Sequence, residues 1–174
     1  KGEGQATVIS SIAAATTALT VGKDSCRVED ISLDAGTGGS CGAACDGVST
    51  NADNVELVRV TVLNADDDGF SIGYRTRMRD CKVISADGRG IIVSDVRNLV
   101  DGTIIFASAA SCIAVAGAGY TTITNNRCES ATASVIDIRQ GTTGCIVVGN
   151  SADGAIINNG GSGNVVPAAS NVVY

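Results

Sequence analysis

The chain has 174 residues, of which 18 are acidic and 12 are lysine or arginine, so its net charge is −6, and it contains no histidine. This acidic balance argues against nucleic acid and against an anionic membrane surface as partners, because both select for clustered positive charge. No apolar run is long enough for a membrane-spanning helix, so we expect no membrane insertion.

A unit of about 22 residues repeats along most of the chain. The units run over 53–74, 75–96, 97–119, 120–141 and 142–161. A fixed period of this length is typical of a solenoid, in which successive coils stack on one another. The repeat therefore predicts a single domain over 1–174, with a glycine-rich insertion at about 36–45.

Two segments of each unit carry apolar residues two positions apart, the pattern of a strand with one buried face. The predicted inward pairs of one strand are Ile31 and Leu33, Val60 and Val62, Cys81 and Val83, Thr103 and Ile105, Asn126 and Cys128, and Asn150 and Ala152. Those of the other strand are Phe70 and Ile72, Ile91 and Val93, Ile113 and Val115, Ile136 and Ile138, and Ala155 and Ile157. Outside 12–19, where one turn could form, no helical pattern occurs. The sequence predicts an all-β fold, a right-handed single-stranded parallel β-helix of about 6–7 coils.

Polar residues and cysteines also fall on the predicted inward positions. Asn126 and Asn150 occupy equivalent positions, which predicts a ladder of asparagines that bonds the backbone of the corners. Cys81 and Cys128 are predicted to be small buried side chains outside any disulfide. Cys41 and Cys45, in the insertion, are the two cysteines placed to form a bridge, and whether they do stays open.

Neither end of the chain carries an obvious cap over its strand edges. Natural sheets cover such edges because unpaired backbone groups promote association. We therefore expect the domain to belong to a longer chain or to an oligomer whose subunits cover its ends.

Acidic residues recur at one predicted corner. Asp46, Asp68 and Asp87 each precede a glycine and lie 22 and 19 residues apart, which predicts one column on three successive coils, with Asp67 beside it. At a rise of about 4.8 Å per coil, neighbouring carboxylates would lie roughly 5 Å apart, a separation that glycosidases use. Asp-Gly is equally a favoured turn dipeptide, so both interpretations stay open. Calcium is a further alternative, but no full ligand motif is visible, and we predict no cofactor.

The segments that begin at Asp46, Asn54, Asp67 and Gly88 resemble the polygalacturonase-type glycoside hydrolases of the pectin-lyase-like superfamily. That family has an Asn-Thr-Asp segment, an Asp-Asp pair and a Gly-His-Gly segment on successive coils. The resemblance implies that Asp46, Asp67 and Asp68, with Asp87 in the same patch, act as general acid and as bases for a water.

Arg89 departs from this pattern, since it stands where the family has histidine. An arginine cannot share a proton at neutral pH, so whether the chain is an enzyme stays open. Arg89 can still bind a carboxylate or an acidic sugar. Tyr74, Arg75, Arg77 and Arg79 follow on the next corner and are predicted to line a sugar groove, with a solvated ion-pair face as the alternative.

Nearly the whole chain is similar, more loosely, to the β-helical domains of phage tailspikes and related tail proteins. This similarity implies a homotrimer on a virion tail or cell surface that recognises, and in many relatives cleaves, bacterial polysaccharide. The alternative function is a structural module without an active site, such as a fibre shaft or an adhesin.

Overall fold

The structure is a computed structural model, and it describes residues 7–10, 17–36, 45–117, 119–129, 135–153, 157–167 and 171–173. Within these residues all strand pairings are parallel and no helix occurs, so none could cross a membrane. The predicted all-β parallel solenoid is confirmed. The turn considered at 12–19 and the insertion at 36–45 lie largely outside the described residues.

The described strands are short and follow one another at the corners of the solenoid. In chain order they are β1 (Thr7–Ser10), β2 (Leu19–Val21), β3 (Arg27–Asp34), β4 (Val48–Thr50), β5 (Glu56–Ala65), β6 (Phe70–Ile72), β7 (Arg77–Arg79), β8 (Lys82–Ala86), β9 (Ile91–Val93), β10 (Leu99–Asp101), β11 (Ile104–Ser108), β12 (Ile113–Val115), β13 (Thr122–Thr124), β14 (Arg127–Glu129), β15 (Ile136–Ile138), β16 (Ile146–Val148), β17 (Ser151–Ala152), β18 (Ile157–Asn159) and β19 (Val172–Val173).

The strands form three faces around one core. The first face is a seven-stranded sheet in the order β18-β15-β12-β9-β6-β4-β2. The second face contains β7, β10, β13 and β16, and the third contains β8, β11, β14, β17 and β19. The long strands β3 and β5 pass around the corner between the second and third faces, so these two faces belong to one sheet.

Most of the predicted inward pairs are confirmed by the strand register. On the third face one column contains Leu33, Val62, Val83, Ile105, Cys128 and Ala152. On the first face the corresponding column contains Phe70, Ile91, Ile113, Ile136 and Ile157. The last predicted pair, Ala155 and Ile157, is out of register, because Ile157 aligns with Ile136 rather than with Ile138, and Ala155 lies outside the described residues. A shift of two keeps the same face inward, so the alternation alone does not determine it.

Two corners are built from residues with left-handed backbone conformation in coil after coil. Between the first and second faces these are Ser25, Asn54, Arg75, Arg97, Tyr120, Gly144 and Gly163. Between the second and third faces they are Asp30, Arg59, Asp80, Gly102, Asn125 and Gly149. Few side chains favour this conformation. Because the same conformation recurs at equivalent positions, the backbone hydrogen bonds between coils continue through the corner. For example, the Asp80 N–H donates to the Asp101 carbonyl at 3.1 Å.

The predicted asparagine ladder is confirmed at the second of these corners. The side-chain amide of Asn126 donates to Asn150 Oδ1 at 2.9 Å and to the Val100 carbonyl at 3.0 Å. The amide of Asn150 in turn donates to Asn171 Oδ1 at 3.2 Å. The ladder therefore satisfies buried backbone groups that no strand partner reaches.

The prediction for Cys128 was wrong, because Cys128 forms a disulfide with Cys112. The residues directly before β4, β6, β9 and β12 of the first face are Gly47, Gly69, Gly90 and then Cys112, on successive coils. A Cβ at Gly90 would lie 2.5 Å from Ile105 Cγ2, which belongs to the inward column of the third face. Cys112 replaces glycine one coil later, where the residue of that inward column is Cys128, and the two sulfurs bond. Cys81 is buried outside any disulfide, as predicted. Cys45 is disulfide-bonded, whereas Cys41 lies outside the described residues.

Two buried threonines provide a test of the polar interior. Thr121 Oγ1 is buried without a hydrogen-bond partner in the part of the chain that the structure describes, whereas Thr50 Oγ1 lies 3.0 Å from Thr76 Oγ1 and accepts the Gly73 N–H at 2.9 Å. We expect Thr121→Val to raise the free energy of unfolding by about 1 kcal/mol and Thr50→Val to lower it by about 1–2 kcal/mol. Urea unfolding of both variants measures this difference. Changes of the same sign would contradict it.

Candidate functional site

The corner that leads into the first face carries the acidic residues. Val48 pairs with Phe70 and Phe70 with Ile91, so the residues two positions earlier, Asp46, Asp68 and Arg89, are equivalent on successive coils. The backbone confirms this register, since the Gly47 N–H donates to the Asp68 carbonyl and the Gly69 N–H donates to that of Arg89, both at 2.9 Å. The predicted column is correct for Asp46 and Asp68.

Asp87 was wrongly placed in this column. Gly90, not Gly88, is the glycine that opens β9, so the Asp87-Gly88 dipeptide lies two residues too early to match the other two. The Asp87 N–H donates to the Ala65 carbonyl at 2.9 Å, which stacks Asp87 on Asp66, and Asp87 is exposed. The carboxyl of Asp87 therefore lies outside the group described next.

Three carboxyl groups come together at the corner. One oxygen from each of Asp46, Asp67 and Asp68 lies within 4.8 Å of the others. Gly88 makes room for two of them, since a Cβ there would lie 2.7 Å from an oxygen of Asp67 and of Asp68. We call Asp46, Asp67 and Asp68 the carboxylate group. A Ca²⁺ ion needs six to eight oxygen ligands, so these three side chains would supply only part of a calcium site.

Asp68 and Arg89 form an ion pair inside the corner. The Arg89 backbone N–H donates to Asp68 Oδ1 at 2.6 Å, and its Nη1 lies 3.4 Å from Oδ2. Asp68 is only 4% exposed, so its carboxylate faces its own corner more than the solvent. Because arginine keeps its proton, Arg89 supplies positive charge here and no proton transfer.

The other two carboxyl groups hold their protons more tightly than an ordinary aspartate. Burial, followed by the charges of Asp68 and Asp67, raises the pKa of Asp46 from 3.8 to about 6, and hydrogen bonds from the Asp68 backbone and the Ser71 side chain oppose the rise. Burial and the charge of Asp68 also raise the pKa of Asp67, while Arg89 opposes that rise. A carboxyl group with a raised pKa beside an ion-paired one can donate a proton in weakly acidic solution.

The residues predicted to bind substrate lie on two different surfaces. Tyr74 lines a groove of about 510 Å³ that follows the first face. The Arg75 guanidinium lies 4.6 Å from the centre of the Tyr74 ring, and its Nη1 lies 3.3 Å from Asp53 Oδ2. Arg77 is exposed on the second face and lines a separate cavity of about 110 Å³ with Arg75. Arg79 is exposed two residues further along β7.

Ser71 was not predicted as a site residue. It is the central residue of β6, pairs with Ser49 and points outward between two buried neighbours. Its side chain acts on Asp46, whose pKa it lowers, and also lines the 510 Å³ groove. The alternation of β6 would have placed Ser71 on the outer surface, but only the coil-to-coil register brings it to Asp46.

No protein-family model matches the chain, and no curated protein gives a significant match. The likeness to polygalacturonase-type hydrolases and to tailspikes therefore supports proposals only. What the structure itself establishes is a parallel β-solenoid that carries a group of three carboxyl side chains and an adjoining groove.

Proposed function

We propose that this chain is a β-helix domain that binds polysaccharide along the outer side of its first face and hydrolyses glycosidic bonds at the carboxylate group. The observation that carries this proposal is the close approach of three carboxyl groups, of which Asp46 has a pKa raised to about 6. The proposal also covers the partners and the location of the chain. The partners are a polysaccharide and either the other subunits of a homotrimer or neighbouring domains, and the location is a virion tail or a cell surface.

Asp46 and Asp67 take different parts in the reaction. Asp46 donates its proton to the glycosidic oxygen as the bond to the anomeric carbon breaks. Asp67 attacks that carbon, and a water then hydrolyses the glycosyl-enzyme bond and gives its proton to Asp46, because the separation within 4.8 Å is near the roughly 5 Å of retaining glycosidases. Retention of the anomeric configuration in the product is therefore expected, whereas inversion would assign Asp67 as the base for a directly attacking water.

Asp68 and Arg89 act as positioning residues. The buried charge of Asp68 helps to raise the pKa of Asp46, and Arg89 keeps Asp68 in place through its backbone N–H and its guanidinium. Arginine therefore replaces the histidine of the polygalacturonase pattern with a fixed charge. Asparagine could serve at a simple turn without repulsion between carboxylates, so the presence of three acids at this corner favours a chemical role.

Release of reducing sugar from a panel of neutral and acidic polysaccharides tests the proposal. We expect release by the unchanged protein and a loss of about 100-fold or more in Asp67→Asn, at least the size typical of a lost acid or base. Asp80→Asn is the matched control, because Asp80 is exposed at a different corner, where its left-handed backbone suits asparagine. Equal release by Asp67→Asn and the unchanged protein would contradict the proposal, as would no release from any polysaccharide.

A structural module is the second candidate function. It is favoured by exposed apolar side chains towards the last coils, where Tyr120, Ile146 and Val165 are exposed by 68%, 43% and 54%. Ile146 and Val165 pair on adjacent coils, so their exposed side chains are neighbours on the surface. This function is expected to show subunit association without sugar release, so the same assay separates the two candidates.

A further inference from the structure

The groove of about 510 Å³ begins at Ser71 within β6 and continues past the end of that strand, whereas the carboxylate group precedes β6. Its lining includes the carboxylates Asp24, Asp53 and Asp95 together with Ser71, Ser94 and Tyr74. The whole of β6 is three residues long, roughly 10 Å at 3.3 Å per residue, so the groove begins within that distance of the carboxylate group. A single extended ligand can therefore reach both.

Ser71 links the groove to the carboxylate group. Its side chain lines the groove, and its backbone pairs with Ser49 on β4, the strand that follows Asp46. A ligand that lies along the outer side of β6 would thus contact Ser71 on its way from the groove to the proton donor. This path follows the strands and crosses the axis of the solenoid.

One carboxylate oxygen of the groove has no partner. Asp53 Oδ1 is buried and accepts no hydrogen bond within the described residues, although Oδ2 of the same side chain lies 3.3 Å from Arg75. A buried acceptor without a donor is unfavourable, and a turn of the partly exposed Asp53 carboxylate that brings Oδ1 to a ligand hydroxyl group would relieve this. The groove thus offers an acceptor for a donor that the described chain does not supply.

The charge of the groove selects among ligands. Its lining contains three aspartates and no lysine or arginine. Arg75 lies next to it, but its guanidinium is held between Asp53 and the Tyr74 ring. Carboxylate or sulfate groups on a sugar would meet like charge here, whereas neutral hydroxyl groups would find acceptors. The three aspartates also do not form a close metal-ligating group among the described residues.

We propose that this groove is a subsite for neutral, hydroxyl-rich sugar units, so that the polysaccharide lies across β6 with its scissile bond at Asp46. This inference rests on the proposed hydrolysis and names its substrate class. Arg89 considered alone would suggest an acidic sugar as the ligand. We propose a neutral sugar instead, because the guanidinium of Arg89 is already paired with Asp68.

Calorimetric titration with oligosaccharides of equal length tests the subsite. The probes are neutral gluco-, manno- and galacto-oligosaccharides and oligogalacturonate, and the protein carries Asp67→Asn so that turnover does not interfere. We expect a neutral probe to bind more tightly than oligogalacturonate. Adding Asp53→Asn is expected to weaken that binding about tenfold or more, the size of a lost hydrogen bond to a charged group. Tighter binding of oligogalacturonate, or no binding of any neutral probe, would overturn the proposal.

Two further variants make the result specific. Asp95 lines the same groove and is exposed, so Asp95→Asn is expected to weaken the binding of neutral oligosaccharides without affecting the fold. Asp80 lies outside the groove, so Asp80→Asn is expected to leave that binding unchanged. Unaltered affinity in both Asp53→Asn and Asp95→Asn would overturn the subsite. Neutral binding without hydrolysis would contradict only the proposed reaction. Hydrolysis confined to acidic polysaccharides would contradict only the subsite.

Discussion

Asp46→Asn is expected to raise the free energy of unfolding by about 1–2 kcal/mol at neutral pH while it abolishes hydrolysis. The physical reason is the raised pKa of Asp46, which at about 6 means that burial and the neighbouring charges of Asp68 and Asp67 disfavour the ionised form. The upper limit from the size of the shift is about 3 kcal/mol, and partial solvent exposure reduces it. Asparagine removes the charge and keeps the shape.

The gain from Asp46→Asn depends on pH in a defined direction. Because the pKa of Asp46 is higher in the folded protein than its ordinary 3.8, the folded state binds the proton more tightly, and the stability that this provides is lost as the pH rises from about 4 through about 6. The variant should therefore be little more stable than the unchanged protein at about pH 4 and clearly more stable above about pH 7. Urea unfolding at both pH values measures this, with Asp80→Asn as control. An equal gain at both would contradict the assigned pKa.

Gly69→Ala is expected to destabilise the fold by about 1–3 kcal/mol or more. Gly69 lies between Asp68 and β6, and a Cβ there would lie 2.6 Å from the Gly90 carbonyl oxygen and 2.7 Å from Val83 Cγ1. The carbonyl belongs to the backbone of the next coil and cannot turn aside as a side chain could. Because Asp68 directly precedes Gly69, we also expect slower hydrolysis.

Gly22→Ala provides the matched control for this change. A Cβ at Gly22 would meet no atom of the described residues within 4 Å, and the Gly22 backbone is not left-handed, so alanine should alter the stability by less than about 0.5 kcal/mol. Thermal and urea unfolding of the two variants compare the sites directly. A loss of stability in Gly22→Ala as large as that in Gly69→Ala would show that the contact with the next coil does not matter.

The first and third faces were predictable from the sequence, whereas the second face was not. Pairs such as Val60 and Val62 repeat two positions apart, and the strand register confirms this alternation in the described coils before the last predicted pair. The three-residue strands of the second face carry a single inward side chain each, such as Met78 in β7 and Val100 in β10, so they contain no period to detect. Stacking between coils, rather than local pattern, determines their register.

The carboxylate group was predictable in part, for a related reason. Asp46 and Asp68 share both the Asp-Gly dipeptide and the distance to the next strand, so counting brought them together correctly. At Asp87 the same dipeptide occurs in a different register, because Asp87 stacks on Asp66, while Arg89 and Gly90 occupy the positions of Asp68 and Gly69. The groove at Asp53 was not predictable, since it is formed by corners of successive coils that are distant in sequence.

The pH dependence of sugar release tests the central claim most directly. If Asp46 donates the proton, the rate of release must fall as the pH rises through about 6, where Asp46 loses its proton. Asp46→Asn must remove this step together with the activity, while Asp80→Asn must retain both. Release that continues undiminished well above pH 6, or that persists in Asp46→Asn with the same pH profile, would contradict the assignment of Asp46 as the proton donor.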